Sequence, residues 1–317
     1  MTAPSAPLAH DALIYATDAE LTGALVPFVR DGLSTGEPVV AVLPPANAEL
    51  LRTALGSAGD AVAFVDAGEW YARPAQTIQA YADVLDDHVD SGARQVRVIG
   101  EVQFGESPGS HVDWTRYEAA LNHVFAGSPA WIICPYDERV LPWSVVSDAR
   151  RTHSRVIERG QRVESPYYLP PEQLMRWLTA PDAQPGRCLL RVDVGAEAGF
   201  AAARRALADV AAASGLSPVR VDDLVTAANE VITNGVRHGE GDVEIVVSVC
   251  GRDLVCDVVD QGAGIRDEVA GYVPLHRRDE PADGMGLWLA RYLCDRLELR
   301  REPRGFVVRL DMADVFG

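Results

Sequence analysis

Hydrophobic and polar positions follow two different patterns along the 317-residue chain. Up to about residue 148, short apolar runs alternate with amphipathic stretches of helical length. The apolar runs predict strands at 12–15, 39–43, 62–65, 96–99 and 131–134, and the amphipathic stretches predict helices near 18–33, 46–56, 75–91 and 112–126. Because strands that alternate with helices form parallel sheets covered by helices, residues 8–148 are predicted to be an α/β domain with a mainly parallel sheet.

Residues 188–317 have a different pattern, which predicts an α+β sandwich of helices on a mostly antiparallel sheet. The helix predicted at 218–238 begins with Ser217 and Pro218, which suit the N-cap and the first turn, and ends at Gly239. Further helices are predicted at 199–213 and 284–296, and strands at 189–194, 243–249, 254–259, 297–302 and 305–310.

Residues 149–187 differ from both regions in charge and in proline content. They carry seven arginines and four acids, although the whole chain has a net charge of −17. A long helix is excluded there by five prolines: Pro166, Pro170, Pro171, Pro181 and Pro185. A short helix at 171–178 fits, with proline and glutamate in its first turn. We therefore interpret 149–187 as a connector between two domains.

Composition limits the chemistry that the chain can perform. Its acidic balance argues against nucleic acid as the main partner, because phosphate binding needs positive charge. No apolar run is long enough for a membrane span, no secretory signal is visible, and the five cysteines lack metal-ligand spacing. We therefore expect a cytoplasmic protein with reduced thiols. All 29 basic residues are arginine, which excludes a Walker A lysine and a Schiff-base lysine.

The first of three polar motifs is EVITN, within the helix predicted at 218–238. Glu230 and Asn234 lie four residues apart, and His238 follows after another four, so all three project from one helix face. A carboxylate and an amide one turn apart can hold Mg²⁺ and leave the carboxylate able to act as a base. Alone, such a pair is more often a solvated face. The opposite stripe is apolar and is predicted to face the core: Leu224, Ala228, Val231 and Ile232.

The other two motifs are rich in glycine. In DQGAG, Asp260 ends a predicted strand, where its carboxylate can accept a hydrogen bond from the amine of adenine, and Gly262 and Gly264 allow backbone to approach the base. A helix whose first N–H groups suit a phosphate begins with Gly284, Met285, Gly286 and Leu287. Each motif alone is typical of an ordinary turn. Together, in this order, the three motifs fit one nucleotide site.

With these motifs, residues 190–310 resemble the GHKL superfamily of ATP-binding domains, with EVITN as the N box and DQGAG and GMG as the glycine boxes. The stretch AANEVITNGVRHG is most similar to the anti-sigma-factor serine kinases. This resemblance implies ATP and Mg²⁺ as cofactors, and the glycine-box residues are expected to surround the nucleotide. It also implies Glu230 as the catalytic carboxylate, Asn234 as the Mg²⁺ ligand and Asp260 as the adenine acceptor.

Residues 8–148 resemble the MEDS sensory domain, through HDALIYATD, PFVRDGLSTGEPVVAV, GEVQF and YEAALNHVFAGSPAWIICPYD. Ligands of parallel sheets bind beyond the carboxyl ends of the strands. Four residues at predicted strand ends are therefore candidates for sensing a ligand or a redox signal: Glu101, Cys134, Tyr136 and Asp137. The signal itself is not identifiable from the sequence.

A MEDS domain joined to a GHKL domain resembles the regulatory anti-sigma proteins of high-GC Gram-positive bacteria. The resemblance implies a switch protein that binds a sigma factor or an antagonist protein, phosphorylates the antagonist on serine or threonine, and is governed by its N-terminal domain. A homodimer is left open.

Two alternatives also stay open. A sensor histidine kinase needs a phosphoacceptor histidine on a long helical hairpin, and the candidate is His153. Because Pro166 follows thirteen residues later, the hairpin does not fit, and we interpret His153 as a connector residue that packs between the domains. The second alternative is an ATP-gated binding protein without phosphoryl transfer. The loop before GMG contains no lysine, and its phosphate-reaching cations would be Arg266, Arg277 and Arg278.

Overall fold

The computed structural model describes residues 7–178, 186–195, 198–265, 267, 269–274 and 285–313. The chain divides near residue 179 into two compact units. Each unit has its own sheet and its own buried apolar core.

Seven strands form the sheet of the first unit: β1 (Ala9–Tyr15), β2 (Val39–Leu43), β3 (Ala63–Asp66), β4 (Val96–Gly100), β5 (Ala130–Asp137), β6 (Arg155–Glu158) and β7 (Gln161–Glu164). Their order across the sheet is β3-β2-β4-β5-β1-β6-β7. All neighbouring pairs are parallel except the antiparallel hairpin of β6 and β7. The predicted α/β class with a mainly parallel sheet is therefore confirmed.

The α-helices described in the first unit are α1 (Asp18–Ser34), α2 (Pro45–Leu55), α3 (Ala67–Trp70), α4 (Pro74–Asp90), α5 (Pro108–Val124), α6 (Trp143–Thr152) and α7 (Pro171–Trp177). Local sequence explains their starts. Thr17 caps α1 by accepting a hydrogen bond from the Glu20 N–H, and Ser107 caps α5 in the same way. Strands β1, β2 and β4 are almost fully buried, as expected for the central part of a sheet covered on both faces.

The structure differs from the sequence prediction over residues 149–187. Instead of a connector, residues 143–164 complete the first unit: α6 buries Val145, Val146 and Ala149, and β6 pairs directly with β1. The physical reason is that β6 contributes two consecutive buried residues, Val156 and Ile157, which need the sheet to cover them.

The second unit consists of β8 (Arg187–Asp193), α8 (Ala198–Ala213), α9 (Pro218–His238), β9 (Glu244–Cys250), β10 (Asp253–Asp260), α10 (Met285–Leu293), β11 (Arg296–Glu302) and β12 (Gly305–Met312). Its strands are all antiparallel to their neighbours, in the order β11-β12-β10-β9-β8. The core lies between this sheet and the apolar faces of the helices. This arrangement confirms the predicted α+β sandwich.

Candidate nucleotide site

Helix α9 supplies two of the predicted site residues. Ser217 caps the helix by accepting from the Arg220 N–H, and the apolar stripe predicted from the sequence is buried: Leu224, Ala228, Val231 and Ile232. Burial of this stripe fixes the rotation of the helix about its axis. As a result, Glu230 and Asn234 lie half-buried on one flank, and His238 is exposed one turn further on.

The turn after β10 is built around the carboxylate of Asp260, which is 8% exposed. Its Oδ1 accepts a hydrogen bond from the backbone N–H of Gly262 at 2.7 Å. A Cβ added at Gly262 or at Gly239 would lie 2.8 Å from the same oxygen. Only glycines therefore fit on both sides of this carboxylate, which explains why one glycine follows α9 and another follows β10.

The start of α10 packs against α9 at Gly286. A Cβ there would lie 2.7 Å from Glu230 Oε2 and 3.3 Å from Asn234 Nδ2, so a larger residue at this position would displace these side chains. Met285 is exposed, and the side chain of Leu287 is buried in the core. Gly284 lies outside the described residues, as do three arginines of the preceding loop: Arg266, Arg277 and Arg278.

A cavity of about 370 Å³ opens between α9, β10 and β12. It is lined by Val231, Asn234, Gly235, His238, Gly239, Asp260, Gly264, Ile265, Ala270, Leu287, Phe306 and Val308. The predicted residues Asn234, Asp260, Gly264 and Leu287 thus meet at one wall. Glu230, Gly262, Met285 and Gly286 are not part of the lining, although Gly262 supports Asp260 and Gly286 contacts the flank of α9.

Sequence reasoning missed the apolar wall of the cavity. Phe306 and Val308 belong to β12, which pairs with β10, so their position depends on strand order and not on a local motif. Gly264 gives one local signal, because it has φ +72° and because a Cβ there would overlap the Phe306 ring. A glycine with a positive φ and no room for a Cβ indicates that the backbone is in close contact with a neighbouring side chain, here Phe306.

The residues present fit an adenine nucleotide. The cavity volume falls within the range of about 300–1,000 Å³ that is typical of small-molecule sites. One buried carboxylate faces a mainly apolar wall, which suits a flat base with one amine to be recognised. Glu230 Oε2 and the side-chain amide of Asn234 lie beside Gly286 in the first turn of α10. A carboxylate and an amide each carry oxygen, which is the ligand that Mg²⁺ prefers.

In the first unit, Glu101 belongs to a polar group at the carboxyl end of the sheet. Its Oε1 accepts from the Tyr15 hydroxyl at 3.1 Å, and its Oε2 accepts from Asn47 Nδ2 at 2.7 Å. Burial raises the pKa of Glu101, although both hydrogen bonds act to lower it. Burial, with the nearby charges of Glu101 and Asp137, also raises the pKa of Tyr15.

The other sensory candidates lie in two places. Asp137 ends β5 beside Tyr15; burial acts to raise its pKa, but hydrogen bonds from Arg139 hold it below the ordinary value. Cys134 and Tyr136 are fully buried in the core, where burial raises the pKa of both groups. The structure therefore brings Glu101 and Asp137 to the sheet edge and leaves Cys134 and Tyr136 inside.

His153 is not the connector residue that the sequence suggested. It ends α6 inside the first unit, with no exposed surface, and its ring lies 4.1 Å from that of His10. The prediction that it packs between domains is wrong because α6 and β6 both belong to the first unit's fold. None of the described helices has the length and apolarity that a membrane crossing requires.

Fold and site together define the class of the second unit. Residues 196–312 match the family described as Histidine kinase-like ATPase domain, and residues 9–154 match MEDS, the MEthanogen/methylotroph, DcmR Sensory domain.

Sequence relatives of the second unit are anti-sigma F factors. An anti-sigma F factor of Thermoanaerobacter sp. is 32% identical over 97 residues, which span 28% of this chain and 68% of the relative. The anti-sigma F factor of Clostridium kluyveri is 34% identical over 100 residues, 30% of this chain and 70% of the relative. The anti-sigma F factor of Clostridium acetobutylicum is 32% identical over 98 residues, which span 28% of this chain and 68% of the relative. The chain belongs to the anti-sigma F factor family, and it carries a MEDS domain as well.

Proposed function

We propose that the chain is an ATP-binding anti-sigma regulator, a cytoplasmic switch that binds a sigma factor or an antagonist protein. The observation that carries this proposal is the cavity in which Asn234 and Asp260 meet beside the glycine turns. The related anti-sigma F factors support the class of partner. The acidic net charge of −17 argues against direct contact with nucleic acid as the main activity.

Asp260 and the glycines have defined roles in this proposal. Asp260 recognises the adenine amine through a carboxylate oxygen, while the Gly262 N–H holds the other oxygen in place. Gly264 brings backbone and the Phe306 ring together to form the wall against the base. The first turn of α10, which contains Gly286, would present its backbone N–H groups to the phosphates, as helix N-termini do.

Asn234 and Glu230 complete the proposed chemistry. Bound ATP would supply the phosphoryl group, and Mg²⁺ would neutralise charge on its oxygens. Asn234 would hold the ion through its amide oxygen. Glu230, one turn earlier on the same half-buried flank, accepts the proton of a serine or threonine hydroxyl of the antagonist protein. These roles make the protein a GHKL-type serine/threonine kinase as well as a binder.

Histidine phosphorylation is disfavoured by the burial of His153. A phosphoacceptor must reach the γ-phosphate of ATP, whereas the His153 ring has no exposed surface and its Nδ1 contacts the carbonyl of Ala149 at 2.9 Å. We also propose that the MEDS unit is sensory and governs the kinase. The polar group of Tyr15, Glu101 and Asp137 at the carboxyl edge of its sheet supports a ligand site there.

The experiment mixes the full chain with candidate sigma factors and antagonist proteins, with and without labelled ATP and Mg²⁺. We expect a nucleotide-dependent complex on size-exclusion chromatography. We also expect labelled phosphate on the antagonist that survives acid, as a hydroxyl ester does. An acid-labile phosphate on the chain itself would contradict the serine/threonine assignment. A nucleotide-dependent complex without transfer would reduce the protein to an ATP-gated binder.

A further inference from the structure

Four side chains that are suited to metal binding converge in the core of the first unit. They are His10 on β1, Glu118 on α5, Cys134 on β5 and His153 at the end of α6. One ligand atom from each lies within 4.8 Å of the others, and all four residues are at most 3% exposed. We refer to these four residues as the buried cluster. Four separate elements meet here, so the arrangement comes from the fold and not from a local motif.

Hydrogen bonds fix the proton positions on both imidazoles of the buried cluster. Asn122 Nδ2 donates to the Thr152 carbonyl at 2.7 Å, which turns its Oδ1 towards His10 Nδ1 at 3.1 Å. His10 Nδ1 therefore carries the proton and donates it to the amide oxygen. His153 Nδ1 lies 2.9 Å from the Ala149 carbonyl, which only accepts, and 2.8 Å from the Thr152 hydroxyl, which can accept as well as donate. A proton on this nitrogen is compatible with both contacts, whereas a bare nitrogen would face the carbonyl oxygen. Each neutral ring is left with a lone pair on Nε2.

These lone pairs face a carboxylate. His10 Nε2 lies 3.1 Å from Glu118 Oε2, and His153 Nε2 lies 3.5 Å from the same oxygen. With its ring proton on Nδ1, the neutral His153 ring has no hydrogen to donate from Nε2. Accordingly, His153 Nε2 and Glu118 Oε1 are buried without a hydrogen-bond partner. Buried acceptors that meet without donors are costly unless a cation lies among them.

Of the four ligand atoms in the buried cluster, only Cys134 Sγ carries a hydrogen that it can donate. Its Sγ lies 3.3 Å from His10 Nε2 and 3.7 Å from Glu118 Oε2. One thiol proton cannot satisfy two nitrogens and a carboxylate. The Tyr136 hydroxyl interacts with Glu118 from outside the cluster but leaves His153 Nε2 unpaired.

We propose that the buried cluster binds one Zn²⁺ ion through His10 Nε2, His153 Nε2, Glu118 Oε2 and Cys134 Sγ. Around tetrahedral zinc, ligand atoms at roughly 2.0–2.3 Å from the metal are about 3.3–3.6 Å apart. The four distances above, 3.1 to 3.7 Å, lie close to this range. Charges also balance, because one carboxylate and one thiolate neutralise Zn²⁺ in a site with no access to water.

Coordination requires the Cys134 thiol to lose its proton to solvent as the Zn–S bond forms. The Cys134 thiol is buried and lies 3.7 Å from the Glu118 carboxylate, so a bound cation is needed to compensate the charge of the thiolate. Asn122 and the Ala149 carbonyl are then the outer partners that orient the two histidines, as is usual for metal-binding imidazoles. Because the site is closed, the ion is expected to enter as the unit folds.

The test uses the full chain expressed with Zn²⁺ and, separately, with Co²⁺ in the medium. Metal content is measured by mass spectrometry and the cobalt form by absorption spectroscopy. We expect about one Zn²⁺ per chain, and a thiolate-to-cobalt charge-transfer band with the d–d bands of a tetrahedral site. The variants Cys134→Ser and Glu118→Gln should bind at least about 100-fold more weakly, more than loss of an outer partner costs.

The matched control is Cys256→Ser, which changes a thiol equally buried in the core of the second unit. It should keep the full metal content and the cobalt spectrum. The wild-type spectrum decides the question even if a variant fails to fold. Wild-type protein without bound zinc and without the thiolate band would overturn the proposal. The cluster would then be a buried hydrogen-bonded core without a metal ion.

Discussion

The two units use buried polar groups differently. In the second unit, Asp260 lines an open cavity and its Oδ1 is held by a backbone N–H, so it faces a site that a ligand can enter. In the first unit, Glu118 and His153 lie in the closed core, and each has a buried polar atom without a partner. An open polar site is completed by a ligand that comes and goes, whereas a closed one needs a partner incorporated on folding. This difference is why we assign nucleotide binding to one unit and a resident ion to the other.

The largest effect is expected from Glu230→Gln, which keeps the shape of the side chain and removes its charge. Phosphoryl transfer to the antagonist protein should fall by roughly 10²–10⁴, because the base is lost, while ATP affinity stays within a few-fold. Transfer rates with labelled ATP and equilibrium titrations measure the two quantities separately. The control is Glu240→Gln, an exposed acid just after α9. Equal transfer rates in wild type and Glu230→Gln would remove the base role and leave nucleotide binding intact.

A smaller effect is expected at the cavity wall. Gly264→Ala forces a side chain into a left-handed conformation, φ +72°, and against the Phe306 ring. Gly251→Ala is a matched control, since Gly251 has φ +64° but no atom within 4 Å of an added Cβ. The control should lose about 1–2 kcal/mol of unfolding free energy from conformation alone. Gly264→Ala should lose a further 1–3 kcal/mol, roughly, from overlap, as measured in urea titrations of the full chain. Equal losses would mean that the Phe306 contact relaxes freely.

The smallest effect concerns two buried carboxylates whose pKa values shift in opposite directions. Burial raises the pKa of Glu101, so its stabilising contribution is present below the unfolded pKa of about 4.3 and is lost as the pH rises through the folded value. For Asp257, burial acts to raise the pKa, but hydrogen bonds from Arg309 and Arg304 lower it overall. The stabilising contribution of Asp257 is present above its unfolded pKa of about 3.9, and it is lost as the pH falls through the pKa of the folded state.

Glu101→Gln and Asp257→Asn should therefore give opposite pH slopes. The stability difference between wild type and Glu101→Gln should shrink as the pH rises, and that for Asp257→Asn should grow. Hydrogen-exchange mass spectrometry of the full chain in urea follows peptides from each unit separately. Parallel slopes for the two variants would show that the environments of these carboxylates are alike.

The fold was predictable where one element carries its own pattern. Strand β2 was predicted with its observed bounds, Val39–Leu43, and α9 ends at His238, before the predicted Gly239 stop. Both follow from short-range physics, a buried apolar run and a helix cap. The hairpin of β6 and β7 was missed because β7 is exposed along its whole length and β6 has only two buried residues. Neither segment shows an alternation of apolar and polar residues that would predict a strand among its charged neighbours.

The candidate nucleotide residues were predictable because each motif is contiguous and lies at the end of an element. Phe306 could not be found in that way, since it lies on the strand that pairs with β10 only after folding. The buried cluster is the extreme case. His10 and Cys134 meet because β1 and β5 are neighbours in the sheet, although three strands, β2 to β4, lie between them in the chain order of the first unit. No spacing rule for metal ligands covers residues that far apart.

The most direct measurement is a calorimetric titration of the full chain with ATP and Mg²⁺, repeated with Asp260→Asn. In this variant the amide oxygen can still accept from the Gly262 N–H, while an NH₂ group replaces the second carboxylate oxygen. The exposed Asp242→Asn is the control for loss of one negative charge. We predict saturable binding by wild type and Asp242→Asn, and affinity about 10- to 150-fold lower for Asp260→Asn. No binding by wild type, or equal affinity in all three proteins, would contradict the assignment of the cavity as the nucleotide site.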